Sequence, residues 1–200
     1  MAIILILMSL LFPATAMVRE QMRKAQARND LANIVVAVNH FKAEYGKYPS
    51  VPAAAPGGDV LVGDADAKAT IDNSALMDTL RAIDRGLNEH HVQNPRRIVF
   101  LEGRTASDAA EPRAGFADKA ESKKRGSFYD PWGRPYGVVM DANFDHTLTV
   151  AEQYGDFAGE NAPRAGAGAF SMGRDGKLGT KGDARFRKGT TASDDVISWQ

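Results

Sequence analysis

The chain has 200 residues, 44% of them hydrophobic and 25% charged, a length that suits one domain with a sizeable core. Its 25 basic and 25 acidic residues cancel, which excludes binding to nucleic acid or an anionic membrane through bulk charge. It contains no cysteine, so disulfides, thiolate metal sites, a lipid-modified cysteine and a thiol nucleophile are all excluded.

Residues 1–18 carry no charge, and only Ser9 and Thr15 are polar. A helix of this length covers about 27 Å, just short of a hydrocarbon core of about 30 Å. A cleavable signal peptide is one reading, with Ala14-Thr15-Ala16 as the small-residue site, although no basic region precedes it. The helical pattern, however, runs on past Ala16. Val18, Met22, Ala25, Leu31, Ile34, Val35, Val38, Phe41 and Tyr45 keep the spacing of one helical face. Gly46 stands at a helix C′ position, and Tyr48-Pro49 forbids continuation. The pattern predicts one helix of about 45 residues, near 68 Å long. Pro13 is expected to kink it. The expected division is a transmembrane or stalk half over 1–28 and a soluble domain over 29–200.

Residues 50–70, rich in Pro, Ala and Gly, read as a surface loop. A second helix is expected over Asn73–Asn88, with Leu76, Leu80, Ile83 and Leu87 on one face. Arg97–Leu101 reads as a strand, and the charged, alanine-rich stretch 104–126 as a mobile insertion. Tyr136–Asp141 and Thr147–Val150 read as two strands joined by a short turn. One long helix, one short helix and a few antiparallel strands make an α+β domain.

Residues 141–152, DANFDHTLTVAE, carry the oxygen spacing of a calcium loop. The ligands would be Asp141, Asn143, Asp145, Thr147 through its carbonyl, and Glu152. His146 occupies the sixth position, where such loops place glycine, and the flanks read as strands. A hairpin whose Asn and Asp residues favour the turn accounts for the same residues. Between Arg174 and Lys188 six basic residues face two acidic ones, with Phe186 the only interleaved aromatic, which fits a solvated loop. Catalytic motifs are absent. Ser171 lacks the glycine two positions earlier that a nucleophile elbow needs, Gly176-Lys177 leads into Leu178, and His90-His91 has no carboxylate at ligand spacing.

The run AIILILMSLLFPATAMVREQMRKAQARNDLANIVVAVNHFKAEYGKYP resembles the N-terminal stalk of type IV pilins and of type II secretion pseudopilins. The likeness lies in Pro13, the small residues after it, Asp30-Leu31 and the closing Tyr45-Gly46-Lys47-Tyr48-Pro49. NPRRIVFLE (94–102), YDPWGRPYGVVMD (129–141) and FSMGRDGKLGT…SDDVISW (170–199) are similar to the globular half of major pseudopilins. The loops 50–70, 104–126 and 155–169 have no counterpart. Aligned on Pro13, the family's basic leader, cleavage site and membrane-embedded glutamate precede the first residue of this sequence. The resemblance implies a pilin-like fold, with the long helix packed on a small antiparallel sheet. It also implies a structural subunit rather than an enzyme, one that assembles with other pseudopilin subunits and the inner-membrane secretion machinery. The implied location is the bacterial inner membrane, single-pass, with the C-terminal domain in the periplasm and no nucleic acid partner. The cations Arg19, Arg23, Lys24 and Arg28 alone would favour the opposite orientation, and the family's basic leader would offset them. The resemblance further implies Ca2+ at Asp175, Asp194 and Asp195 around the glycine-rich C-terminal loop, while the insertion ARFRKGTTAS separates Asp183 from the family pattern. A solvated turn in which these aspartates cap local backbone is the alternative. Two other readings of the chain are a minor type IV pilin in adhesion or DNA uptake and a secreted calcium-binding module.

Overall fold

The computed structural model describes residues 2–52, 58–122 and 124–199, with side chains from Thr15 onward. Helix α1 spans Ala2–Tyr45 and ends as the sequence predicts. Gly46 takes φ 69°, and its N–H closes on the Lys42 carbonyl at 2.8 Å. Ala27, Leu31, Ile34, Val38 and Phe41, spaced four and three apart, form the buried face. Val18, Met22 and Ala25, expected on that same face, are exposed instead: the six-residue step from Ala25 to Leu31 carries the row to the other side of the helix. The first of them lies next to the expected domain boundary at Asn29. Among the described residues no helix is long and apolar enough to cross a membrane. Pro13 and the rest of the run 1–14 lie outside the residues whose side chains are described.

Among the described residues eight short strands follow: β1 Val60–Val62, β2 Gly115–Phe116, β3 Phe128–Tyr129, β4 Gly137–Met140, β5 Ala167–Ser171, β6 Arg187–Lys188, β7 Thr191–Ala192 and β8 Val196–Ile197. Four of them make the main antiparallel sheet in the order β1-β4-β5-β8. β2 pairs with β3 and β6 with β7 in two small hairpin sheets. The fold is thus mixed helix and sheet, an N-terminal helix on a small antiparallel sheet.

Strand alternation divides the interior in two. Val138, Met140, Ala167, Ala169 and Val196 face α1, together with Val62 and the helix residues above. Alanines on the middle strand let the helix lie close. Val139, Phe170 and Ile197 point the other way, into a second core with Leu148, Val150, Tyr154, Met172, Leu178 and Phe186. Gly137 is required there: a Cβ would run into the ring of Phe170. Polar links fix α1 on the sheet. The Tyr136 hydroxyl donates to Asp30 at 2.8 Å, and burial pushes that carboxyl up. At the helix end the Tyr45 hydroxyl donates to Asn94 at 2.7 Å, and its ring packs with Phe41 and Phe100.

Several expectations need correction. The second helix, α2, is only Ser74–Leu80, because Ala82 adopts a left-handed backbone and a 3-10 segment, Gly86–His91, follows. Residues 97–101 form no strand. The N–H groups of Phe100 and Leu101 donate instead to the Leu80 carbonyl at the end of α2. Residues 147–150 also form no strand, although Leu148 and Val150 are fully buried. The described residues of 104–126 are folded, where the sequence reads as a mobile insertion. Phe116 stacks on Phe128 with ring centres 4.2 Å apart, and the Arg81 guanidinium covers its ring while binding Asp118 bidentately. Within 50–70, the described residues include the edge strand β1.

Candidate metal centre

Strand β5 ends at Ser171, directly opposite Val196 of β8. That register brings the chain leaving β5 and the chain entering β8 face to face. Residues 173–176 turn sharply on Gly173 and Gly176, both at positive φ. Leu178 then anchors the loop in the second core, and the β6–β7 hairpin returns it to Ser193. Asp175 on the outgoing side meets Asp194 and Asp195 on the returning side, with one oxygen of each within 4.8 Å of the others.

Each carboxylate spends one oxygen on the loop. Asp194 Oδ2 accepts the N–H groups of Arg174 and Asp175 at 2.6 and 3.0 Å. Asp195 Oδ2 accepts the Gly179 N–H at 2.7 Å, and Asp175 Oδ1 accepts the Lys177 N–H at 2.9 Å. Asp195 Oδ1 is buried and unpartnered among the described residues. The hydroxyl of Tyr154, fully buried beside it, likewise finds no partner of good geometry.

Asp195 is the electrostatic centre of the group. Burial pushes its carboxyl up to about 7, against the pull of the Gly179 N–H and of the nearby Tyr154 hydroxyl, and the charges of Asp194 and Asp175 push the same way as burial. Burial and the neighbouring Asp195 push the Tyr154 phenol up as well. Three carboxylates with converging oxygens and an unmet acceptor can hold a metal ion, and a hard divalent cation suits an all-oxygen set. A full calcium shell takes six to eight oxygens, so backbone carbonyls and water would have to complete it.

The other predicted loop is organised differently. Both oxygens of the buried Asp141 accept backbone N–H groups, from Asp145 at 3.1 Å and His146 at 3.0 Å. Asp145 is likewise occupied, by the Thr147 N–H and the Asn143 amide. Phe144 and His146 sit at positive φ, which lets the turn close without glycine. Glu152 is exposed, and its backbone carbonyl, not its carboxylate, accepts from Lys68. The arrangement is an aspartate-capped turn. Among the described residues, only Asp175, Asp194 and Asp195 bring three acidic side chains within ligand distance. Asp183 stands apart from them, against Lys188 at 3.3 Å and the Arg185 N–H.

Two further residues had no sequence signal as site neighbours. Tyr154 reads simply as a core aromatic. Asp130 reads as a turn residue, yet it is fully buried: Oδ1 accepts the N–H groups of Trp132, Gly133 and Arg134. Its Oδ2 accepts the Ser171 hydroxyl at 2.5 Å, which fixes the end of β5 from which the loop departs. The only clue in the sequence is Asp-Pro-Trp-Gly, an aspartate two residues ahead of N–H groups it can cap. No family model, no curated protein and no solved structure matches the chain.

Proposed function

We propose that the chain is a structural subunit of a type II secretion pseudopilus, a filament-forming protein whose work is assembly rather than chemistry. Support comes from the sequence resemblance and from one observation above all, the unpartnered face of α1. Val18, Met22, Ala25, Asn29, Ala32 and Val36 are all exposed, at alternating spacings of four and three. This is the seam along which one helix packs lengthwise on another, and it lies away from the face that rests on the sheet. On this reading the fold is pilin-like, residues 1–28 are its transmembrane and stalk half, and the uncharged run 1–18 anchors the subunit in the bacterial inner membrane. The domain faces the periplasm, and its partners are other pseudopilin subunits and the secretion machinery. Calcium at Asp175, Asp194 and Asp195 would order the C-terminal loop.

Because the chain has no cysteine, the seam can be tested cleanly. A Met22→Cys/Val36→Cys variant, expressed as the full chain and oxidised in membranes, should give a ladder of covalent oligomers. Ile34→Cys, on the buried face, should give none. A ladder absent from the exposed pair, or equal in the buried control, would overturn the proposal.

A further inference from the structure

The balanced net charge conceals a lopsided distribution. The α1 cations Arg19, Arg23, Lys24 and Arg28 lie at the end of the domain where the uncharged run 1–18 joins it. The loop 174–188 reaches α1 through Phe186, at the level of Arg28. Phe186, flanked by Arg185 and Arg187, lines one cleft with Arg28 and Ala32. The Trp132 indole, in the turn that Asp130 ties to Ser171, donates to Glu20 at 3.4 Å. The loop adds six cations, all exposed. Of these ten, Arg23 pairs with Glu20 and Lys188 with Asp183, and the other eight form no ion pair among the described residues. Glu20, Asp30, Asp175, Asp183, Asp194 and Asp195 share these two segments, taken as 19–30 and 174–195, so ten cations against six carboxylates leave them a net charge of +4, which the rest of the chain balances.

We infer that this cationic collar docks the domain on an anionic lipid surface. Two features favour lipid over nucleic acid. Met17, Val18 and Met22 are exposed at 73, 59 and 67% between and beside the helix cations, so apolar and cationic groups alternate at the same level. Long cationic side chains beside apolar ones suit a headgroup boundary, where the stems lie in the apolar region and the charges reach phosphate. Phe186, the only aromatic in the loop, is buried, which leaves no platform for stacking bases. The inference does not depend on the filament reading, because it concerns one domain and a bilayer.

The test is flotation of the full chain with vesicles of phosphatidylcholine alone and with about a third phosphatidylglycerol. Any apolar contribution of the run 1–18 is common to both kinds of vesicle, so the ratio of the two affinities isolates the collar. Each cation near an anionic surface is worth about fivefold, or roughly 1 kcal/mol. The wild-type ratio should exceed about tenfold, shrink in high salt, and fall several-fold in both Lys181→Gln/Arg185→Gln/Arg187→Gln and Arg19→Gln/Arg23→Gln/Arg28→Gln. Melting curves report whether the variants are folded, and the salt dependence of the unaltered chain decides the matter if they are not. A wild-type ratio near one, a ratio unaffected by salt or by a folded loop variant, or an oligonucleotide displacing the chain from anionic vesicles would overturn the inference.

Discussion

Replacing Asp195 by asparagine separates the intrinsic strain of the acidic loop from its capacity for metal. In the native state its carboxyl rises from an ordinary 3.8 to about 7, chiefly through burial. Above pH 7 the folded protein therefore carries an ionised group that it disfavours, at a cost of about 4 kcal/mol. The native state binds the extra proton between pH 3.8 and about 7, so stability falls as pH rises through that window and returns as pH drops below it. Asparagine keeps the acceptor for the Gly179 N–H and presents an amide to Asp194 and Tyr154 in place of the unpartnered oxygen. Water drawn to that oxygen should relieve part of the cost, leaving a gain of about 2 kcal/mol for Asp195→Asn in chelator at pH 8. For a chain of this size that is a rise in Tm of roughly 4 to 8 °C. At pH 4 the advantage should vanish. Millimolar calcium should raise the Tm of the wild type, because the ion binds only the native state, and should leave the variant almost unmoved. Thermal denaturation of both proteins at the two pH values, with calcium and with chelator, gives all the readings. An Asp195→Asn protein that melts below wild type in chelator at pH 8, or that keeps the full calcium shift, would refute the reasoning.

Asp141→Ala should lower stability by about 1 to 3 kcal/mol, since it strands the N–H groups of Asp145 and His146, yet preserve the calcium-dependent rise in Tm. Loss of that rise would move the metal to the 141–152 loop. Phe116→Ala should cost about 3 to 5 kcal/mol in urea denaturation and expose 104–126 to proteolysis, because it removes the ring between Phe128 and Arg81. A cost below about 1 kcal/mol would restore the expectation of a loose insertion. Asp130→Ala should destabilise by several kcal/mol, whereas Asp130→Asn, which can still accept backbone N–H groups, should recover most of the loss. Equal losses would assign the role to charge rather than to hydrogen bonding.

Helix α1 was legible from its residues because helical geometry is local. The spacing of Leu31, Ile34, Val38 and Phe41 sets the buried face, and Gly46 ends the helix by a backbone conformation that needs no distant partner. The strand at Gly137–Met140 was likewise readable, from an apolar run bounded by turn residues. Leu148 and Val150 alternate as a strand should and are buried as a strand would be. Nevertheless the Leu148 N–H goes to the Pro163 carbonyl and the Thr149 N–H to Asp59. Burial follows side-chain pattern, but a strand exists only where a second strand runs alongside, and that neighbour lies elsewhere in the chain. Residues 104–126 misled for the same reason: one aromatic in a polar stretch carries no periodicity, and its partners, Phe128 and Arg81, are distant in sequence. The acidic group shows the division most plainly. The residues offered Asp175, Asp183, Asp194 and Asp195 around a glycine-rich loop, and the family resemblance narrowed these to three and set them ahead of the 141–152 segment. The antiparallel register of Ser171 against Val196 brings Asp175, Asp194 and Asp195 within ligand distance of one another. It set Asp194 and Asp195 against a turn 19 residues away, and it buried one carboxylate without a partner. In 141–145, by contrast, every aspartate oxygen found an N–H within its own turn. Residue types set what each loop can bond, and long-range pairing settles which acceptors are left over.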